Sequence, residues 1–335
     1  MPSLMDLEAF LMVMILAKLN YREICQVRKV CRNLRNFIDT VKPEFFMKKM
    51  FVHLNTDSVK IGLQDLEARD PEPRDPKSRD PRHIEYRKQG AQCLIITEWS
   101  EHSKRQTIQN SEYMEIFCGD FQLLLSHLKT TVLESFEVVA PEVPKKLQKV
   151  FESKKVSLKA QVFEVKTSNQ GEVMKVLPFL DAACLDEIVM TKSGISKEIW
   201  NIEKIVETEQ WKKTKVLHLK LFFGRTSITE YCHFRKADFE LDSISTKDLI
   251  QMKEALSNPR TLEHIFVGYH NDSIDMETLQ KAFGRPYIQN DESKGLQRHW
   301  FWKIPDFDKI LHLTLELSRF IFNHVESIPV GADFS

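Results

Sequence analysis

Six segments between residues 133 and 315 carry one apolar spacing, at positions i, i+3 and i+5. They are Leu133, Phe136 and Val138; Ala160, Phe163 and Val165; Leu185, Ile188 and Met190; Val216, Leu219 and Leu221; Leu262, Ile265 and Val267; and Ile310, Leu313 and Leu315. Phe239 and Leu241 form a weaker copy with Lys236 in the first position. Short apolar runs of this kind mark strands with a buried face. Helical periodicity fills the gaps at 171–180, 197–210, 246–257 and 275–283.

Successive segments start 27, 25, 31, 20, 26 and 48 residues apart. Most of these intervals lie near the leucine-rich-repeat period of roughly 20–29 residues. A strand plus a helix per unit predicts a stacked, curved α/β array. A non-repetitive α/β or α+β domain is the alternative, because the same spacing arises in any buried strand. If i, i+3 and i+5 point inward, strand alternation turns i+2 and i+4 outward. That nominates His218 and Lys220 with Phe222, His264 and Phe266, and Asp238 and Glu240 as an exposed face that binds a protein target. An aromatic anchor with a polar rim is what an interaction patch offers. The bland reading is that helices or the C-terminal segment cover this face and make Phe222 and Phe266 core.

The first 52 residues read as helical. Leu7, Phe10, Leu11, Met14, Ile15 and Leu19 recur at helical spacing, and Ile24, Val27, Val30, Cys31, Leu34, Phe37 and Ile38 follow after a break. A short helix is expected to hold Phe45, Phe46 and Met50 beyond Pro43. The apolar run at 9–17 lacks a basic leader and is too short to span a bilayer, so neither export nor membrane insertion is expected. Residues 18–49 hold nine Lys and Arg against Glu23, Asp39 and Glu44, within a chain of zero formal net charge. Nucleic-acid binding favours aromatic rings among such basic groups. Here Phe37 belongs to the apolar stripe instead, which points to docking of a protein partner and not of nucleic acid.

Chemistry is absent from the motifs. The ten glycines include no GxG pair, and GxxxxGK[ST], GxSxG and HExxH do not occur. The six cysteines form no CxxC and suit neither a zinc site nor a disulfide framework, as reduced thiols in a cytoplasmic or nuclear protein would. No catalytic residue, metal site or cofactor is expected.

The segment from Leu7 to Ile38 resembles an F-box without gaps, through Ile15-Leu16, Leu19, Ile24, Arg28, Val30-Cys31-Arg32 and Arg35. RKVCRNLRNFID, with Leu34 where many F-boxes have Trp, is similar to the nematode F-box-A group. MKVLPFLDAACLDEIVM at 174–190, IVETEQWKKTKVLHLK at 205–220 and FELDSISTKDLIQMKE at 239–254 resemble that group's FTH domain. Together with the repeat spacing, this predicts a small all-α F-box module followed by an α/β leucine-rich-repeat-like curved array. The boundaries are 1–52 for the F-box, 53–115 for a connector and 116–330 for the FTH domain. The resemblance further implies a non-catalytic substrate adaptor of a ubiquitin ligase. The F-box would dock a Skp-type linker, and through it a cullin, by Leu7, Glu8, Ile15, Leu16, Leu19, Ile24, Val30, Cys31 and Leu34. The C-terminal domain would hold the protein target. One departure stands out, since the family's Leu-Pro opening reads Leu7-Glu8 here. The alternative is a protein-binding or translational regulator with weak or no ligase coupling.

The connector carries RDPEPRDPKSRDPR at 69–82, with Arg-Asp-Pro at 69, 74 and 79. Proline at this density forbids helix and sheet ladders, and no apolar side chain repays ordering. A disordered, charge-balanced insert is expected. Replacing 69–82 with a short Gly-Ser linker should leave the melting temperature unchanged within error, as read by thermal denaturation.

Overall fold

A period of two dominates the burial of the chain from Met47 onward, and strands outnumber helices accordingly. The computed structural model describes residues 7–19, 21–44, 47–65, 83–99, 102–153, 157–194, 200–223, 226–257, 261–291, 295–305 and 308–335. The Arg-Asp-Pro tract, Phe45 and Phe46 lie outside the described residues. The chain divides into two units, one of residues 1–165 with 175–185, the other of residues 166–174 with 186–335.

The first unit opens with three helices, α1 (Ala9–Leu16), α2 (Tyr21–Val27) and α3 (Arg32–Val41). Met12, Leu16, Ile24, Leu34 and Ile38 form their shared core, with Leu19, Val27 and Phe37 packed against it. Cys31 caps α3, its Sγ accepting from the Leu34 amide at 3.4 Å, and Lys42 ends the helix in the left-handed conformation at φ 50°. Arg28 grips Asp39 with Nε and a second guanidinium nitrogen at 2.7 and 3.0 Å. That bidentate pair pins the turn after α2 to α3.

Five antiparallel strands follow: β1 (Met47–Leu54), β2 (Ser58–Asp65), β3 (His83–Gln89), β4 (Gln92–Trp99) and β5 (His102–Ile108). Met50, Val52 and Leu54 are buried at alternate positions, so Met50 lies on a strand and not on the expected short helix. Helix α4 (Tyr113–His127) crosses this sheet and leads into β6 (Val132–Val139), which pairs with β1 in parallel. Helix α5 (Lys145–Glu152) and β7 (Lys159–Thr167) complete the order β7-β6-β1-β2-β3-β4-β5. A run of rings from Tyr86 through Phe117, Phe121 and Phe151 to Phe136 and Phe163 joins the helices to the sheet.

The three-helix module is seated on this layer. Tyr21 is buried and borders a small void with Ile61, Leu63, Ile84, Tyr86, Phe117, Asp120, Phe121 and Leu124. Tyr86 donates its hydroxyl to Asp120 at 2.8 Å. At the far end His127 Nδ1 lies 2.8 Å from the Pro43 carbonyl, just past α3.

The second unit begins at α6 (Gln170–Met174). Its parallel strands are β8 (Glu187–Lys192), β9 (Val216–Phe223), β10 (Lys236–Ser245) and β11 (His264–Ser273). They alternate with α7 (Glu203–Val206), α8 (Glu209–Lys213) and α9 (Thr246–Leu256). Helix α10 (Met276–Phe283) then leads to β12 (Tyr287–Asp291), β13 (Gly295–Lys303), β14 (Ile310–Leu315) and β15 (Arg319–Val325). These four are antiparallel, and β15 returns to pair with β11, giving the order β8-β9-β10-β11-β15-β14-β13-β12. Ser245 and Asp248 close a reciprocal capping box at the start of α9. Trp211 is fully buried on α8, its indole nitrogen donating to the Glu230 carbonyl at 3.3 Å.

The expected leucine-rich-repeat-like array is corrected by this architecture. Among the described residues, fifteen strands form mixed sheets, and strand–helix alternation is confined to the middle of the chain. A curved array needs a helix between every pair of strands. Among the described residues, the strands from β1 to β5 and from β12 to β15 follow one another without one. Apolar spacing reports burial alone, and burial looks alike in parallel and antiparallel ladders. The spacing also conceals a change of face. Positions i+3 and i+5 share a face, whereas i has the opposite parity. Leu313 and Leu315 accordingly face the helix side, while Ile310 packs with Phe301 and Ala332.

Burial pushes the His127 imidazole below its ordinary pKa of 6.5, with the bond to the Pro43 carbonyl acting in the opposite direction. The unfolded chain takes up this proton near 6.5 and the folded chain only at lower pH, so stability falls as pH drops through that range. The melting-temperature advantage of the wild type over His127→Gln should therefore shrink between about pH 7 and pH 5.

Candidate functional site

Helix α1 is apolar on two sides. Met12 and Leu16 face the core, one turn apart. Leu7, just ahead of the helix, and Phe10, Leu11, Met14 and Ile15 are exposed, at 38, 69, 44, 50 and 42% of their full area. Their spacing is i, i+3, i+4, i+7 and i+8, the stripe a helix normally buries. No described element covers it. An apolar helix face left open on an otherwise packed module marks a docking surface.

The expected linker-contacting residues divide between this surface and the core. Leu7, Glu8, Ile15, Val30 and Cys31 are exposed. Leu16, Ile24 and Leu34 are buried in the three-helix core, and Leu19 is half-buried against it. Phe10, Leu11 and Met14 belong to the open stripe and were missing from the expected set. Their signal was present as a second helical stripe, but sequence alone does not say which stripe faces in. Two of the basic residues, Arg28 and Arg35, serve as struts. Arg28 is tied to Asp39, and Arg35 Nε donates to the Arg28 carbonyl at 3.2 Å. Glu8 occupies the N-cap of α1 with φ −58° and makes no side-chain cap bond.

In the second unit the register brings part of the expected target face together. His218, Asp238 and Phe266 lie side by side on β9, β10 and β11, and the row continues to Ile321 on β15. Glu240 stands opposite Gly268, where a β-carbon would lie 3.3 Å from the Glu240 side chain, so the glycine makes room for the carboxylate stem. Asp238, Glu240 and Lys220 are exposed, while His218, His264 and Phe266 are half-buried. Arg319 stacks its guanidinium 5.8 Å from the Phe266 ring centre. His218 lies 3.8 Å from Glu187. The side chain of Phe222 is outside the described residues. Farther along this face, Ile328 and Ala332 of the C-terminal segment pack with Phe301, and the Ser335 amide donates to the Phe301 carbonyl at 2.8 Å.

Among the described residues no three His, Cys, Asp or Glu side chains converge as a metal site. His299 Nδ1 and His312 Nε2 lie 3.0 Å apart with Thr314 beside them. Burial pushes His312 down to about 4 and lowers His299 as well, which disfavours the charged form of both rings. Burial likewise raises the thiols of Cys25, Cys93, Cys118 and Cys232, which disfavours the nucleophilic thiolate. No described helix is long and apolar enough to cross a membrane.

Residues 4–46 match the family model of the F-box domain, which places the open α1 stripe inside an F-box. Residues 141–286 match the FTH domain. The chain is thus an F-box protein that joins an F-box to an FTH domain. The chain is 22% identical over 308 residues to "F-box A protein 224" of Caenorhabditis elegans, covering 88% of this chain and 73% of the relative. The chain thus carries an F-box match followed by an FTH match, and is similar to a protein described as an F-box A protein. No solved structure matches it.

Core and surface on α1 should separate by mutation. Leu16→Ala should cost about 2–5 kcal/mol and lower the melting temperature sharply. Ile15→Ser, at an exposed position, should change stability by less than about 1 kcal/mol in the same denaturation assay.

Proposed function

We propose that the protein is the substrate-recognition adaptor of a Skp/cullin/F-box-type ubiquitin ligase. The carrying observation is the unpartnered apolar stripe of α1 inside the F-box match. The stripe docks a Skp-type linker, which connects to a cullin, and each apolar side chain buried there stabilises the complex by up to roughly 1.5–3 kcal/mol. Tyr21, His127 and the ring run seat the module firmly, so the stripe is presented from a fixed base. The chain itself performs no chemistry. It supplies two docking surfaces, and ubiquitin transfer belongs to its partners in the cytoplasm and/or nucleus.

The target is held by the second unit, on the face carrying His218, Lys220, Asp238, Glu240, His264 and Phe266, with Phe222 on the neighbouring strand. The half-buried Phe266 between Arg319 and Asp238 supports this reading, because it offers an apolar contact within a charged rim. Changing Phe222 and Phe266 together to Ser should abolish target capture and leave linker binding intact. Global unfolding of that variant identifies the rings as core, and unchanged capture moves the target elsewhere.

Coupling to the ligase is tested on α1. Phe10→Ser combined with Ile15→Ser should remove the Skp-type linker and cullin from a pull-down while circular dichroism stays unchanged. Undiminished co-purification overturns the adaptor reading. Glu8 favours a second reading with weaker coupling, since an uncapped, exposed glutamate stands where the family's proline would stiffen the entry. Its φ of −58° suits proline without strain. Glu8→Pro should therefore tighten linker binding, measured by calorimetry, and should not destabilise the F-box.

A further inference from the structure

The parallel strands of the second unit end at a cleft of about 700 Å³. Its walls are residues 226–228 after β9, the carboxyl ends of β10 and β11, and the first residues of α9. Sheets of this kind bind ligands outside the carboxyl ends of their parallel strands. The volume is that of a ligand site, roughly 300–1,000 Å³, but the lining does not suit an apolar occupant. Ile228, Leu241 and Ile244 are buried, and the lining otherwise consists of Ser, Thr and Asp with one Asn and one Lys.

The cleft is negative, with Asp242, Asp248 and Asp272 set against Lys247. Helix α9 points its amino end here, which by itself would favour an anion. Asp248 already answers that end, accepting from the Ser245 amide at 2.8 Å within the capping box. Asp242 is half-buried on β10 and Asp272 is exposed on β11, and neither has an ion-pair partner among the described residues. One more group sets this wall apart. Tyr231 is fully buried, its hydroxyl makes no well-formed hydrogen bond, and the side chain it approaches is Thr226 of the cleft. Buried polar groups are nearly always bonded, so this exception distinguishes the wall from ordinary core.

We propose that the cleft receives an arginine side chain from a basic segment of the protein target. The guanidinium lies between Asp242 and Asp272, and its remaining N–H groups bond to the surrounding hydroxyls. Five donors in a planar fork match an oxygen-rich wall better than the three donors of lysine. An anion is a poorer occupant, because two unpaired carboxylates repel it. The proposal rests on the target-holding role of the second unit, gives the target segment a positive charge, and adds a contact beyond the His218–Phe266 face.

The test titrates the full-length chain with short fluorescent peptides that carry arginine, lysine, citrulline or glutamate in the same glycine–serine frame. The arginine peptide should bind tightest. Citrulline, its neutral isostere, should bind roughly tenfold or more weakly, the scale of a charged hydrogen bond. Asp242→Asn combined with Asp272→Asn should erase the preference for arginine over citrulline and leave the melting temperature unchanged. Ser227→Trp should block the peptide by filling the cleft without altering its charge. Phe266→Ser should leave this binding unchanged even where it abolishes capture of the full target, which separates failure here from failure of the face proposed above. Equal binding of the arginine and citrulline peptides, a preference for the glutamate peptide, or an arginine preference that survives the double Asn substitution overturns the proposal. So does a dimer in light scattering that Ser227→Trp dissociates, because a second copy then occupies the cleft.

Discussion

The F-box is held by its seat on α4 and the first sheet. Tyr21 enters a pocket walled by Ile61, Ile84, Tyr86 and Phe117, and burial holds its phenol protonated. Asp120 shares that environment. Burial raises its carboxyl pKa, and the Tyr86 hydroxyl bond draws it back. Such a contact between modules has a functional consequence. With α2 seated and α3 tied through Pro43 to His127, the core side of α1 is fixed by Met12 and Leu16. The opposite side is then compelled to face outward. An apolar docking stripe stays exposed because the residues that could hide it are engaged elsewhere.

The same economy appears in the second unit. Helices α9 and α10 bury Leu249, Met252, Leu256, Leu279 and Phe283 on one side of the sheet. The other side keeps charged and histidine side chains around Phe266, and only its far end is closed by the C-terminal segment. Polar groups there are paired locally. Gln297 donates to Glu316 at 2.7 Å, and Arg319, which also covers Phe266, binds the same carboxylate. That network fixes the guanidinium over the ring, so the aromatic contact is presented in one geometry instead of many.

Several features were legible before any coordinates. Phe163, Ile188 and Val267 announce themselves as core by apolar spacing, and all are buried. Leu34 and Ile38 recur at helical spacing and pack into the F-box core. The helical spans expected at 246–257 and 275–283 hold α9 and α10, which the structure shows capped by Ser245 and Asp275. Phe10 and Met14 were legible as helical but not as surface. Their stripe and that of Met12 and Leu16 are equally apolar, and hydrophobicity ranks burial only where the two faces of a helix differ.

The sequence by itself determined which segments carry a buried face, that the chain carries an F-box, and that no familiar catalytic motif is present. These are local properties, set by periodicity, capping chemistry and residue type within a turn or two. Only the tertiary structure decided that β12–β15 turn back antiparallel, that β1 to β5 form a sheet, and that α1 leaves its Phe10 side open. Those outcomes depend on pairing between residues far apart in the chain, such as β11 with β15 or Pro43 with His127. Apolar side chains are non-directional in what they prefer to touch, so the pattern specifies burial without naming the partner. The partner is chosen by register, turn length and the few directional bonds that only the assembled fold brings within reach.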